Sequence, residues 1–314
     1  MTEIIAHRGG ADLWPENTMA AFAGAIACGA DGAELDVHLT RDGDVVVFHD
    51  EALKREIVRR NGQWLSEVRP LIKDLSFSEL LAYDVGRLKP GSSYAARHPR
   101  QEAADGEHIP LLADVIALAK ARSATFKLWI ELKTDLMRPE RGADPVALAD
   151  AALAVVRAAG FENRTVFISF DWRTLVRIKQ RAPEIRTLAT TLPQSWFAPG
   201  TPPAEHGPPP PDELAALRAV VAAGAPWEAG FAAKDFSSLQ DAVRASGADG
   251  WFPYYPDVTE SAASHITNLG LSVAAWTVPP AAGPALVSLG CSAICTDDPV
   301  SLRHILSKTE SNSI

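Results

Sequence analysis

The sequence has few cysteines and no long apolar run. Its 314 residues include Cys28, Cys291 and Cys295, which form neither a paired disulfide framework nor a CxxC metal site, so we expect free thiols and a reducing compartment. No apolar stretch approaches the ~18–20 residues that a membrane-spanning helix needs. No charged segment followed by an apolar one marks a secretion signal. We therefore expect a cytoplasmic protein without an integral membrane segment.

Net positive charge is also absent. The formal net charge of −9 argues against nucleic acid or an anionic membrane as a partner, because a field of that sign repels phosphate backbones. A local basic pocket can still hold one phosphate. With 47% hydrophobic and 22% charged residues, the composition is typical of a globular protein with a sizeable core. We expect a single domain over 1–314, and the oligomeric state stays open.

Short apolar runs alternate with amphipathic stretches over most of the chain. This pattern is expected of repeated strand-helix units around a parallel sheet. The predicted strands are Glu3 to Ala6, Gly32 to Val37, Leu128 to Leu132, Val166 to Phe170, Ile185 to Ala189, Gly250 to Pro253, Ser272 to Trp276 and Ser292 to Thr296. This pattern predicts an α/β fold, a (β/α)8 TIM barrel, which places chemistry on the loops that follow the strands.

Two segments are additional to the eight strand-helix units of a barrel. Residues 51–110 carry few regular signals and a turn-rich stretch, and we expect them to form a small insertion lobe after the second β/α unit, over the barrel mouth. Residues 193–211 are rich in proline, which favours an extended surface loop. The sequence assigns no chemistry to this proline-rich loop.

Carboxylates and a lysine lie at the ends of two predicted strands. In GAELDVHLT, Glu34 and Asp36 are two residues apart and therefore point to the same face of the strand. In WIELK, Glu131 and Lys133 repeat this spacing on the next barrel strand. Three carboxylates without cysteine suit one divalent cation, Mg²⁺ or Ca²⁺, with Mn²⁺ also possible, better than zinc. We predict Glu34, Asp36 and Glu131 as metal ligands; the alternative is unrelated acids at strand ends.

Two histidines follow apolar runs in the same half of the chain. AHRGG places His7 and Arg8 after the first strand, and VVVFHD places His49 after a further β-type run. A divalent metal, with Arg8 and Lys133 as fixed cations, stabilises phosphoryl oxygens, while one imidazole removes a proton and the other donates one. Imidazole titrates near pH ~6.5, so both forms are accessible. These parts predict cleavage of a phosphate ester.

The motifs in this order resemble the glycerophosphodiester phosphodiesterase family. They are HRG (7–9), PENT (15–18), ELDV (34–37), HD (49–50), ELK (131–133), SF (169–170), WTV (276–278) and TDDP (296–299). The resemblance covers residues 4 to about 305 and implies a TIM barrel with an insertion. It also implies hydrolysis of glycerophosphodiesters, such as glycerophosphocholine or glycerophosphoethanolamine, to sn-glycerol 3-phosphate and an alcohol.

The resemblance also implies roles for individual residues. His7 and His49 correspond to the acid and base, and Arg8 and Lys133 to the phosphate contacts. Glu34, Asp36 and Glu131 correspond to the ligands of the divalent metal. The family scheme uses the glycerol 2-hydroxyl as internal nucleophile through a cyclic phosphate, since a neighbouring hydroxyl has a high effective concentration. In the version we consider first, His7 deprotonates that hydroxyl and His49 protonates the alcohol, but the order stays open.

Two further residues are predicted to bind substrate. Glu16 opens the first helix, where it either pairs with Arg8, touches the glycerol or only complements the helix dipole. Trp276 follows the seventh strand and either lines the glycerol pocket or packs inside the barrel. Two other functions stay open: a phospholipase D-type enzyme acting on lysophospholipids, which an apolar groove in residues 51–110 would favour, and a catalytically silent phosphate-binding module.

Overall fold

The computed structural model describes residues 2–67 and 70–311, so the ends of the domain predicted over 1–314 lie outside the described residues. In this part of the chain the strands are β1 (Glu3–Ala6), β2 (Gly32–Leu39), β3 (Val45–Val47), β4 (Arg59–Arg60), β5 (Gln63–Trp64), β6 (Tyr83–Asp84), β7 (Lys127–Leu132), β8 (Thr165–Ser169), β9 (Arg186–Thr190), β10 (Gly250–Phe252), β11 (Ser272–Ala275) and β12 (Ala293–Thr296).

The largest sheet is a closed parallel barrel. Its strands follow the order β1, β12, β11, β10, β9, β8, β7, β2, and β1 also pairs with β2, which closes the ring. β3 pairs antiparallel to β2 outside the ring. Each strand predicted from the sequence is present, with its bounds shifted by two residues or fewer. The structure therefore confirms the predicted (β/α)8 barrel.

The α-helices of the described residues are α1 (Met19–Ala27), α2 (Phe77–Leu80), α3 (Ser93–Arg97), α4 (Leu112–Arg122), α5 (Pro145–Ala158), α6 (Trp172–Arg181), α7 (Pro211–Ala223), α8 (Leu239–Ala245), α9 (Glu260–Asn268), α10 (Gly283–Ser288) and α11 (Pro299–Ser311). α2 and α3 lie within residues 51–110, and the other helices cover the outside of the barrel. Pro299 occupies a favoured first helical position of α11, and the Asp298 side chain accepts from Ser301 N across 2.9 Å. Among the described residues, no helix has the length and apolar character that crossing a bilayer requires.

The barrel strands are buried on both faces, as expected of a parallel sheet with helices outside it. Inward side chains such as Ile5, Trp129, Ile168 and Leu188 fill the barrel interior. Outward side chains of the same strands pack with the helices in a second and larger cluster. This packing holds the carboxyl-terminal ends of the strands in fixed positions around the barrel mouth.

The insertion lobe (residues 51–110) lies between β3 and α4, so it interrupts the second β/α unit instead of following it. β4, β5 and β6 form a small antiparallel sheet in this lobe. Its apolar side chains, with Leu53, Val58, Ile72 and Leu80 among the most buried, form a cluster of their own. The lobe therefore has a small core beside the barrel mouth.

The proline-rich loop (residues 193–211) contains two short helical turns, Gln194–Trp196 and Ala204–His206, before α7 begins. Trp196 Nε1 donates to His206 O across 3.0 Å, and Ser195 Oγ lies 2.8 Å from His206 Nδ1. These contacts tie the loop to itself. Glu205, at its centre, reaches a cleft at the barrel mouth.

Candidate active site

A sharp turn follows β1 and presents His7 and Arg8 at the barrel mouth. Arg8 (φ 50°), Gly9 (φ 85°) and Gly10 (φ 103°) all have left-handed backbone conformations. Gly9 has a second constraint, because a Cβ atom at this position would lie 2.7 Å from Ala21 Cβ on α1. A residue without a side chain is therefore needed at position 9 for the turn to pack on α1.

His7 pairs with a carboxylate from the last barrel strand. β1 and β12 are neighbours, and His7 Nδ1 lies 2.6 Å from Asp297 Oδ1. The other ring nitrogen, Nε2, lies 3.9 Å from Glu34 Oε2. Burial is the largest single influence and opposes protonation of the ring, but the charge and hydrogen bond of Asp297, together with the charge of Glu34, overcome it, and the pKa of His7 lies above its usual value. Asp297 thus favours the charged form of His7 and fixes its orientation.

Three carboxylates meet where β2 and β7 end. Glu34, Asp36 and Glu131 are buried, and one oxygen of each lies within 4.8 Å of the others. Burial, together with the charges of Asp36 and Glu131, raises the pKa of Glu34 to about 8. Burial also raises the pKa of Glu131. Like charges at this spacing cannot all ionise without a compensating cation.

The carboxylate cluster fits a divalent cation. Glu34 Oε1 is buried and has no hydrogen-bond partner among the described residues, which leaves a lone pair free for a ligand. The donor set consists of oxygen atoms alone, which suits Mg²⁺, Ca²⁺ or Mn²⁺. Asn17 Nδ2 donates to Asp36 Oδ2 across 2.8 Å and holds that carboxylate in place. The cluster can therefore hold one divalent cation.

Two cations lie against the carboxylates. Lys133 Nζ is 2.9 Å from Glu131 Oε1 and 3.6 Å from Asp36 Oδ1. Arg8 Nε is 3.6 Å from Asp36 Oδ2, and Arg8 N donates to Glu34 Oε2 across 2.9 Å. Burial opposes ionisation of Asp36, but His49, Lys133 and Arg8 lower its pKa below the usual range. Arg8 and Lys133 thus lie where a phosphate above the cluster would meet them.

His49 lines the same cavity as His7 and two of the three carboxylates. Its Nδ1 lies 3.0 Å from Asp50 Oδ1, and its Nε2 lies 3.3 Å from Lys133 Nζ. Burial and the charges of Arg8 and Lys133 lower the pKa of His49 to about 4. The ring of His49 is therefore neutral near pH 7, whereas Asp297 favours the charged form of His7.

The two remaining candidates also lie at the mouth. Glu16 Oε1 accepts from Arg8 Nη1 across 3.0 Å, so of the alternatives for Glu16 the structure shows the pairing with Arg8. Trp276 packs edge-on against Phe170, with ring centroids 5.8 Å apart, and faces a cavity. Its indole Nε1 is buried without a hydrogen-bond partner in the described part of the chain.

An inner cavity of about 200 Å³ joins these groups. One end is polar and is lined by His7, Arg8, Glu34, His49, Glu131 and Lys133. The other end is lined mainly by Phe170, Thr190, Phe252 and Trp276. A larger outer cleft, of about 480 Å³, shares His7 and Arg8 and extends between the lobe residues Tyr94 and Arg97 and the loop residue Glu205. His7 and Arg8 thus border both the inner cavity and the outer cleft.

The family model described as the Glycerophosphoryl diester phosphodiesterase family matches residues 7–301. The chain belongs to this family. A glycerophosphodiester phosphodiesterase of Caldanaerobacter subterraneus is 34% identical over 185 residues, which is 59% of this chain and 65% of that protein. A human lysophospholipase D is 40% identical over 115 residues, which is 37% of this chain and 32% of that protein.

A solved structure from Silicibacter pomeroyi, named for the same phosphodiesterase family, has 30% identity and a TM-score of 0.81 over 99% of this chain and 94% of that chain. The predicted family, barrel and class of enzyme are confirmed by these matches. The aligned segment spans just under two thirds of the Caldanaerobacter phosphodiesterase.

The nine residues predicted for the phosphodiesterase site all lie around the inner cavity or contact a residue that does. Two residues of the site had no predicted role: Asp297, although TDDP is among the motifs, and Tyr94, whose hydroxyl contacts Arg8 and Glu16. Asp297 could have been found from its position at the end of β12, beside β1, whereas no sequence pattern indicates Tyr94.

Proposed function

We propose that this chain hydrolyses glycerophosphodiesters, such as glycerophosphocholine or glycerophosphoethanolamine, to sn-glycerol 3-phosphate and an alcohol in a metal-dependent reaction. The observation that carries the proposal is a pair of imidazoles in different electrostatic environments beside one carboxylate cluster. His7 lies against Asp297, whereas His49 lies against both Asp50 and Lys133. Titratable groups that their surroundings push in opposite directions are typical of an acid and base pair.

Glu34, Asp36 and Glu131 would hold one divalent cation, Mg²⁺ or Ca²⁺, with Mn²⁺ also possible. When bound, such a cation supplies Lewis-acid stabilisation of the phosphoryl oxygens. Arg8 and Lys133 bind the same phosphate through their charged nitrogens. Glu16 holds Arg8 in place, and the ring of Trp276 packs against the glycerol in the inner cavity.

The two histidines then exchange protons with the substrate. Neutral His49 takes the proton of the glycerol 2-hydroxyl, whose oxygen forms a bond to phosphorus. The bond between phosphorus and the oxygen of the leaving alcohol breaks, and protonated His7 donates its proton to this alcohol oxygen. In the second step, the oxygen of a water molecule bonds to phosphorus, and the water gives a proton to His7. The bond from phosphorus to the glycerol 2-oxygen breaks, and His49 returns its proton to that oxygen. Both rings end in their starting states.

The charges around the two rings favour this order over the one considered first from the sequence. Asp297 stabilises an imidazolium at His7, as an acid requires. Lys133 and Arg8 disfavour a positive charge on His49, as a base that starts neutral requires. We therefore assign His7 as the acid and His49 as the base of the first step.

Lysophospholipids are a second candidate substrate. An apolar groove or membrane-binding surface in residues 51–110 would favour this candidate. A cavity of about 110 Å³ lies elsewhere, next to the inner cavity, and shares Phe170 and Thr190 with it. Trp172, Phe197 and Trp227 line this second cavity. An acyl chain on the glycerol could extend into it, and the partial match to a human lysophospholipase D agrees with this candidate.

The test uses purified protein with glycerophosphocholine and an enzyme-coupled readout of sn-glycerol 3-phosphate. We expect product release that chelator abolishes and that Mg²⁺, Ca²⁺ or Mn²⁺ restores. Choline release from lysophosphatidylcholine alone would favour the second candidate. Phosphate binding without product release, whichever divalent cation is added, would refute both and indicate a silent binding module. A cytoplasmic location stays a prediction from the sequence.

A further inference from the structure

Tyr94 belongs to the insertion lobe, but its hydroxyl lies at the barrel mouth. Arg8 Nη1 donates to Tyr94 Oη across 3.3 Å, and Tyr94 Oη donates to Glu16 Oε2. The same Arg8 nitrogen donates to the other oxygen of Glu16 across 3.0 Å. Arginine, tyrosine and glutamate thus form a closed ring of hydrogen bonds that joins the lobe to the turn after β1 and the start of α1.

A phenol is suited to the middle of this ring. A tyrosine hydroxyl can accept from a guanidinium and donate to a carboxylate at the same time, whereas a phenylalanine can do neither. Burial and the charge of Glu16 raise the pKa of Tyr94 well above its usual value, so the hydroxyl keeps the proton that it donates. Arg8 Nη2 donates to no protein group among the described residues, and this leaves it available to a ligand.

Residues 98–102, which follow Tyr94 in the lobe, form hydrogen bonds with the loop after β1. His98 Nδ1 lies 2.7 Å from Asp12 Oδ1, and Gln101 Nε2 donates to Ala11 O across 2.8 Å. Glu102 N donates to Leu13 O across 2.9 Å. These contacts reach the loop that also carries His7 and Arg8. The hydroxyl of Tyr94 is therefore held in a fixed position relative to that loop.

We propose that Tyr94 is a positioning residue: its hydroxyl orients the Arg8 guanidinium, so that the insertion lobe completes the phosphate site of the barrel. The inference rests on the proposed role of Arg8 in phosphate binding. Without the hydroxyl, Nη1 keeps one partner in place of two, and the guanidinium can rotate away from the phosphate. Substrate and product then bind more weakly, while His7 and His49 are unchanged.

The first test compares Tyr94→Phe with Tyr83→Phe. Tyr83 is a buried lobe tyrosine whose hydroxyl makes no hydrogen bond within the described residues, so it controls for hydroxyl deletion in the lobe. In Tyr94→Phe we expect the KM for glycerophosphocholine and the inhibition constant of sn-glycerol 3-phosphate to rise about 5- to 30-fold, which corresponds to about 1–2 kcal/mol of weaker phosphate binding. We expect kcat to change less than about threefold, because the interaction is uniform binding. Tyr83→Phe should match the wild type.

A double-mutant cycle distinguishes orientation of Arg8 from loosening of the lobe. In an Arg8→Lys background no guanidinium is left to orient, so we expect Tyr94→Phe to change KM by less than about twofold. A full Tyr94→Phe effect in that background, or an unchanged KM in the single variant, would overturn the inference.

Failure of the proposed function gives a different result. A wild-type protein that releases no sn-glycerol 3-phosphate would contradict the function itself. Calorimetric titration with inorganic phosphate would then still test Tyr94, with weaker binding in Tyr94→Phe expected and equal binding overturning the inference.

Discussion

Replacing Asp297 by asparagine tests the pairing that orients His7. The substitution keeps the size and shape of the side chain but removes its charge, and His7 Nδ1 lies only 2.6 Å from the altered group. Burial and Arg8 both lower the pKa of His7, and Asp297 is the largest influence that raises it. Without that carboxylate, the pKa of His7 should fall below its usual value.

The size of the effect follows from the geometry. Two charges about 4 Å apart interact by about 4 kcal/mol at an effective dielectric constant near 20, which corresponds to roughly three pKa units as an upper limit. Removing the orienting carboxylate from a comparable catalytic histidine costs about 10⁴-fold in kcat. Since His7 keeps other contacts here, we expect kcat at pH 7 to fall by about 10²- to 10⁴-fold with little change in KM.

The assay is glycerophosphocholine hydrolysis from pH 5 to pH 9. An acid must be protonated to act, so activity is lost as the pH rises through the pKa of His7. A lower pKa therefore moves the alkaline limb of the kcat profile toward lower pH in Asp297→Asn. Asp298→Asn is the matched control, because Asp298 pairs with Arg100 and caps α11 without touching His7. An unchanged profile, with kcat within about threefold of wild type, would refute the reasoning.

Three further predictions concern the catalytic pair, the metal site and the turn after β1. His7→Ala and His49→Ala should each nearly abolish turnover with an unchanged circular dichroism spectrum, and substantial residual activity would contradict the role of the altered residue. Because the pKa of Glu34 is about 8, this carboxyl is mostly protonated at pH 7 and must lose its proton to bind a cation. Calorimetry in buffers of different ionisation enthalpy should therefore show proton release at pH 7 and little at pH 9; buffer-independent enthalpies would contradict this. Gly9→Ala should lower the free energy of unfolding by about 2–4 kcal/mol, from backbone strain plus contact with α1. Gly43 also has a left-handed backbone conformation but has open space around it. In denaturant titrations, Gly43→Ala should lower the free energy of unfolding by only about 1–2 kcal/mol, and equal losses in the two variants would exclude a contribution from contact with α1.

The sequence predicted the barrel because each strand has a local signature. A buried parallel strand needs a short apolar run between polar turns, and runs such as Val166 to Phe170 show it without any knowledge of their partners. The spacing of Glu34 and Asp36 likewise predicts a shared face from strand geometry alone. The strands and the carboxylate cluster were thus predictable from patterns within a few residues.

Residues brought in by distant contacts were not predictable in this way. Asp297 reaches His7 across 290 positions of sequence, because β12 closes the barrel against β1. Tyr94 reaches Arg8 across 86 positions through a lobe whose strands are two residues long. No hydrophobic period marks either contact, since both depend on how separate segments pack.

The charges at the barrel mouth explain why a cation and a phosphate should bind together. Glu16 and the three clustered carboxylates face two permanent cations, Arg8 and Lys133, while His7 and Asp297 offset one another. When all four carboxylates are ionised, the site has two negative charges in excess, which would repel a phosphodiester. A proton on Glu34 removes part of this excess in the metal-free protein, in keeping with the pKa of about 8 that burial and the charges of Asp36 and Glu131 give this carboxyl. A divalent cation held by the three carboxylates would remove all of this excess, so that Glu34 would lose that proton and the site would accept an anionic substrate.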